Sequence, residues 1–125
     1  MSTFAPAPST VTKATANLSQ VAATYDLVTA TGGDVLVTRV TPFVSVAATG
    51  LVSITMQTNN TAADAVLAST LLNALTGGTK LAVLATPVFL PSGKKIQYTI
   101  VGTGTAGSLK VALEYQPLDA GATLA

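Results

Sequence analysis

Apolar and polar positions alternate with a period of two over several short stretches of this chain, the pattern of strands buried on one face. The clearest is Leu109, Val111, Leu113 and Tyr115 set against Lys110, Ala112, Glu114 and Gln116. Within residues 51–58, Val52, Ile54 and Met56 alternate with Ser53, Thr55 and Gln57, and further on Ile96, Tyr98 and Ile100 alternate with Gln97 and Thr99. Residues 24–29 and 34–40 are rich in strand formers, and residues 43–46 continue beyond Pro42. A proline there is expected to end the strand or to place it on a sheet edge. Residues 80–85 read as a further strand with Leu81 and Val83 inward.

Turn chemistry separates these stretches. Gly32-Gly33 between two strands is a hairpin signal, and Gly102-Thr103-Gly104-Thr105-Ala106-Gly107 reads as a flexible hairpin loop. Ala47-Ala48-Thr49-Gly50, Asn59-Asn60-Thr61 and Leu90-Pro91-Ser92-Gly93 mark three more turns. One stretch breaks the rhythm. Val66, Leu67, Leu71 and Leu75 come close to helical spacing, Asp64 stands where an N-cap would, and Gly77-Gly78 follows. This predicts a short helix or helical turn within residues 62–75.

The pattern gives seven or eight short strands and no repeat of solenoid or propeller period. The expected fold is all-β, a compact sandwich or jelly-roll-like barrel over residues 21–118, with a short tail at 119–125. Residues 1–20 differ. Ala5-Pro6-Ala7-Pro8-Ser9-Thr10 favours an extended backbone, because each proline fixes φ and pushes its predecessor out of the helical region. The segment reads as an extended N-terminal arm, the alternative being a frayed terminus. Phe4 favours the arm, since an aromatic there would find burial only on a partner. Phe4, Pro6, Pro8 and Lys13 are the candidate partner contacts.

Composition adds a surface problem. Of 125 residues, 21 are Ala and 21 are Thr, while only 9% are charged. Solubility ordinarily rests on a charged surface, so part of this surface is expected to be covered in the working state. A net charge of +1 leaves no strongly basic footprint for nucleic acid. No apolar run reaches the length of a membrane span. The first residues lack the basic and apolar regions of a secretory signal.

The same inventory thins the candidate chemistry. With no Cys and no His, thiolate nucleophiles, disulfides, Cys-based zinc sites and the commonest general base are all missing. Asp26 and Asp34 flank Gly32-Gly33 and could approach one another as a carboxylate pair or as oxygen ligands for Ca²⁺. The spacing lacks an EF-hand pattern and fits ordinary turn chemistry better. Ser92-Gly93-Lys94-Lys95 holds the residue types of a Ser-Lys nucleophile but sits in a turn. Residues 102–107 match G-x-G-x-x-G by letter yet lead into a strand, where a dinucleotide fingerprint requires a helix. No catalytic residue, metal ligand or cofactor is expected. Tyr98 and Tyr115 fall on the inward phase, which argues against sugar or base stacking.

Residues 23–37, Ala-Thr-Tyr-Asp-Leu-Val-Thr-Ala-Thr-Gly-Gly-Asp-Val-Leu-Val, resemble an opening found in small virion proteins of tailed bacteriophages. Leu90-Pro91-Ser92-Gly93 before a strand and Leu113-Glu114-Tyr115-Gln116-Pro117-Leu118 near the end fit the same pattern. In size and composition the chain most resembles capsid decoration (cement) proteins. That resemblance implies a structural protein without catalytic residues, often trimeric. It would sit on the capsid surface of a virion assembled in the host cytoplasm and bind the major capsid protein so as to cross-link neighbouring subunits. The competing reading is a tail or head-fibre adhesion module that recognises a host surface, for which exposed aromatics or a metal site in the loops would be expected. A small β-fold enzyme is the third class, disfavoured by the missing His and Cys.

Overall fold

A computed structural model describes residues 10–50, 52–72 and 75–125. Nine strands make up the described chain, and no helix occurs among the described residues: β1 (Thr10–Asn17), β2 (Thr24–Thr31), β3 (Val35–Thr49), β4 (Val52–Thr58), β5 (Ala65–Leu71), β6 (Val88–Leu90), β7 (Lys95–Gly102), β8 (Ala106–Pro117) and β9 (Thr123–Leu124). They form a four-stranded sheet in the order β1-β8-β3-β6 and a five-stranded sheet in the order β5-β4-β7-β2-β9. All pairings are antiparallel. Among the first eight strands, β1 pairs with β8, β2 with β7, β3 with β6 and β4 with β5. This is one long antiparallel hairpin rolled over itself, closed by β3–β8 and β4–β7, and it defines a jelly roll.

The core lies between the sheets and is built by the inward phase of each strand. Leu109, Val111, Leu113 and Tyr115 of β8 are buried, as are Val52, Ile54 and Met56 of β4 and Ile96, Tyr98 and Ile100 of β7. The alternation of the sequence is thus the alternation of core and surface. Thr58, at the inward end of β4, is fully buried, and its Oγ1 accepts a hydrogen bond from the Asp64 amide at 2.9 Å. A buried hydroxyl is satisfied in this way at the β4–β5 turn.

Several local expectations need correction. Gly32-Gly33 does not join a hairpin: β2 lies in the five-stranded sheet and β3 in the other, so this corner carries the chain across the sandwich. Gly32 is required there because its φ is +75° and a Cβ would lie 2.7 Å from the Gly121 carbonyl oxygen. The loop at 102–107 likewise crosses between sheets, from β7 to β8. Among the described residues the only consecutive strands sharing a sheet are β4 and β5, joined through Asn59-Asn60-Thr61.

The helix expected within 62–75 does not occur among its described residues, of which Ala65–Leu71 form β5; Asn73 and Ala74 lie outside the described residues, as does Leu51. The two register shifts of β5 against β4 set Val66 and Leu67 side by side in the core, which mimics helical spacing. Pro42 neither ends β3 nor sits at an end of the sheet. Val40, Pro42 and Val44 turn their backbone groups away from β8 toward residues 79–84, where Leu81 donates to the Pro42 carbonyl at 2.9 Å. The missing N–H therefore falls at an irregular margin and leaves the β3–β8 ladder intact. Residues 80–85 form only isolated bridges to β3, Lys80 to Phe43 and Leu84 to Val40. Finally, part of the expected arm is strand: Thr10–Asn17 pairs with β8 residue for residue. Its inward side chains, Thr12, Ala14 and Ala16, are too small to raise the apolar contrast that marks the other strands.

Candidate functional site

The outer faces of the two sheets differ in chemistry. On the five-stranded sheet, Thr24 and Thr99 share a hydroxyl hydrogen bond of 2.8 Å across β2 and β7. Next to them the Asp26 carboxylate accepts from Lys95 Nζ at 2.7 Å and from Gln97 Nε2 at 2.9 Å. These bonds from Gln97 and Lys95 hold the Asp26 carboxyl below its ordinary pKa. The polar groups of this patch are thus partnered within the chain.

On the four-stranded sheet, cross-strand register sets residues in rows. Thr15, Lys110, Phe43 and Lys80 form one row across β1, β8, β3 and the irregular margin. Lys13, Ala112 and Thr41 form the next, and Val11, Glu114 and Arg39 the third. Lys13, Phe43 and Lys110 line a shallow depression of about 260 Å³ with Val111 and Ala112. Phe43 is 37% exposed, and Phe89, on the neighbouring β6, is 46% exposed. Lys13, Arg39, Lys80 and Lys110 are all exposed, and none makes a salt bridge among the described residues.

This face therefore carries four of the six basic residues and one of the five acids, a net of +3. The remaining two lysines and four aspartates sum to −2, which restores the chain's +1. A nearly neutral protein is in this respect strongly polarised.

The earlier candidates separate. Asp26 bonds Lys95 and Gln97, whereas the Asp34 carboxylate accepts from the Ser92 amide at 2.9 Å, so each has its own partners and no shared site forms. No cluster of three metal-ligating side chains occurs among the described residues. Lys95 pairs with Asp26 and is no base for Ser92. At Gly104 a Cβ would lie 2.6 Å from the Leu18 carbonyl oxygen and from Val52 Cγ2, so this glycine serves close packing. Lys13 stands on β1, in the charged face. Phe4, Pro6 and Pro8 lie outside the described residues. The sequence pattern does not single out Phe43, Arg39, Lys80 or Lys110 as site residues. Phe43 does sit on the opposite phase from Val40 and Val44, a signal that Pro42 between them obscures.

No protein-family model matches the sequence, and no curated protein matches it. Solved structures do share the fold. A chain in the acid-stable capsid structure of Helicobacter pylori bacteriophage KHP30 is 12% identical, with a TM-score of 0.68 over 97% of this chain and 95% of that one. A chain in the capsid asymmetric unit of cyanophage Pam1 is 11% identical, with a TM-score of 0.57 over 94% of this chain and 90% of that one. The chain has the fold of these two capsid-structure chains along nearly its whole length.

Proposed function

We propose that this protein is a structural component of a phage virion, a trimer that binds the outside of the capsid and stabilises it by cross-linking neighbouring capsid subunits. The observation that carries this reading is the near full-length likeness to the chain in the KHP30 capsid structure. A single jelly roll of this size also suits the mechanics. Two sheets locked over one core resist deformation, and many weak contacts repeated by symmetry add up to a firm attachment. The partner is the major capsid protein, and an N-terminal arm bearing Phe4, Pro6 and Pro8 adds a second contact.

The test is co-sedimentation with phage heads that lack the protein. Saturable binding at a fixed ratio to capsid subunits, with greater resistance of the heads to heat and osmotic shock, is the expected result. Deleting residues 2–9 leaves β1 whole and measures the arm alone. Absence of binding to heads would overturn the reading and favour a host-surface adhesion module.

A further inference from the structure

We propose that the outer face of the four-stranded sheet, centred on Phe43 and framed by Lys13, Lys80 and Lys110, is the surface that docks on the capsid, against a carboxylate-bearing protein surface. This rests on the capsid-binding reading and names the face and the partner's chemistry.

Three observations carry it. First, the charge is segregated: a net of +3 gathers on one face of a protein whose other charged residues sum to −2. Second, the four cations make no salt bridge among the described residues, whereas Lys95, near the opposite face, is bound to Asp26. An unspent set of cations is complementary to an acidic partner and directs its approach. Third, Phe43 lies in the middle of a cross-strand row between Lys110 and Lys80, half out of the surface and beside the shallow depression. An aromatic anchor ringed by polar groups is the usual anatomy of a protein interface hot spot. The backbone beneath it is fixed by the β1–β8–β3 ladder, so little ordering is needed on binding.

Other occupants fit less well. A second copy docked face to face would set Lys13 and Lys110 against the same cations. A nucleic acid would find at most four phosphate contacts, too few to hold the protein at physiological salt.

Two measurements test the proposal. In the first, Lys110→Glu and Lys94→Glu are compared in binding to heads. Both change the net charge equally, and both folds are checked by circular dichroism. Lys110→Glu and Phe43→Ala are each expected to weaken binding about tenfold or more, and Lys94→Glu to leave it within about twofold. Equal losses for the two lysine variants would overturn the face. The second needs no capsid: poly-L-glutamate is titrated against the protein and amide NMR shifts are followed. Changes concentrated at Lys13, Phe43 and Lys110, abolished by 0.5 M salt or so, are expected. Changes at Lys94 and Lys95 instead, or equal changes with duplex DNA, would overturn it. Should heads fail to bind while poly-L-glutamate still selects this face, the capsid reading falls and the acidic-partner surface stands.

Discussion

Asp119 Oδ2 accepts a hydrogen bond from the Asp34 amide at 2.8 Å and so ties the corner between β2 and β3 to the chain leaving β8. The Asp34 carboxylate continues the chain of bonds to the Ser92 amide, at the turn before β7. Two aspartates thereby serve as caps for three crossings between sheets. Asp119→Ala is expected to lower stability by about 1 kcal/mol, the worth of a hydrogen bond to a charged acceptor at a partly exposed site. Asp119→Asn, which keeps an acceptor oxygen, should lose less. Urea unfolding of the three proteins measures both.

The same corner has no room for a side chain. Gly32→Ala combines a left-handed φ with a clash against the Gly121 carbonyl. A loss of about 2–3 kcal/mol is expected, whereas Gly93→Ala should lose less: its φ is also left-handed, but no atom lies within 4 Å of its Cβ. Thermal melts of the pair separate strain from clash.

Core-facing and surface-facing positions of the strands should differ sharply. Leu113 is fully buried, and Leu113→Ala is expected to remove about 3 kcal/mol. Thr55, outward on β4, should tolerate alanine within about 0.5 kcal/mol. Denaturant midpoints give the comparison directly.

Tyr98 makes stability depend on alkaline pH. Its ring stacks on Tyr25 with centroids 5.5 Å apart, and its hydroxyl donates to Gln20 Oε1 at 3.0 Å. Burial raises the phenol pKa above its ordinary 10.0; a backbone hydrogen bond from Asn17 opposes this, and Tyr25 adds to it. The unfolded chain therefore releases this proton first. The contribution is whole below about pH 10 and drains away as pH climbs through the folded-state value. Tyr98→Phe should lose about 1 kcal/mol at neutral pH and show a flatter decline above pH 10 in urea titrations.

Asp26 has the opposite sign and a smaller effect. Its lowered pKa means that the stabilisation is present above the ordinary 3.8 and vanishes as pH falls through the folded-state value. The Lys95–Asp26 pair is exposed, so Asp26→Asn should change stability by only a few tenths of a kcal/mol and less in high salt. In an NMR titration, Gln97→Ala should move the Asp26 midpoint upward.

Strand identity was legible wherever large apolar residues alternated with polar ones, as in β4, β7 and β8. It failed at β1, where Thr12, Ala14 and Ala16 carry too little hydrophobic contrast, and at β5, where bulges put Val66 and Leu67 on the same side. Connectivity was less readable than strand identity. Gly32-Gly33 and the 102–107 loop have hairpin composition, yet both cross the sandwich, because a left-handed φ and close approach favour glycine at either kind of corner. Of the candidate contacts, Lys13 was visible as a lone charge, but its company was not. Lys80, Phe43 and Lys110 are separated by dozens of residues and meet only through strand register.

The strand order has a consequence for synthesis. β8 lies at the centre of the four-stranded sheet, between β1 and β3, yet it follows both of them, and β6, in the chain. A fragment that stalls before Ala106 has no Lys110, and its β1 and β3 are left without the strand that joins them. Such a fragment cannot present the basic rows, because their register is set on β8. The charged face is therefore the last part of the four-stranded sheet to be completed, because it is assembled on β8.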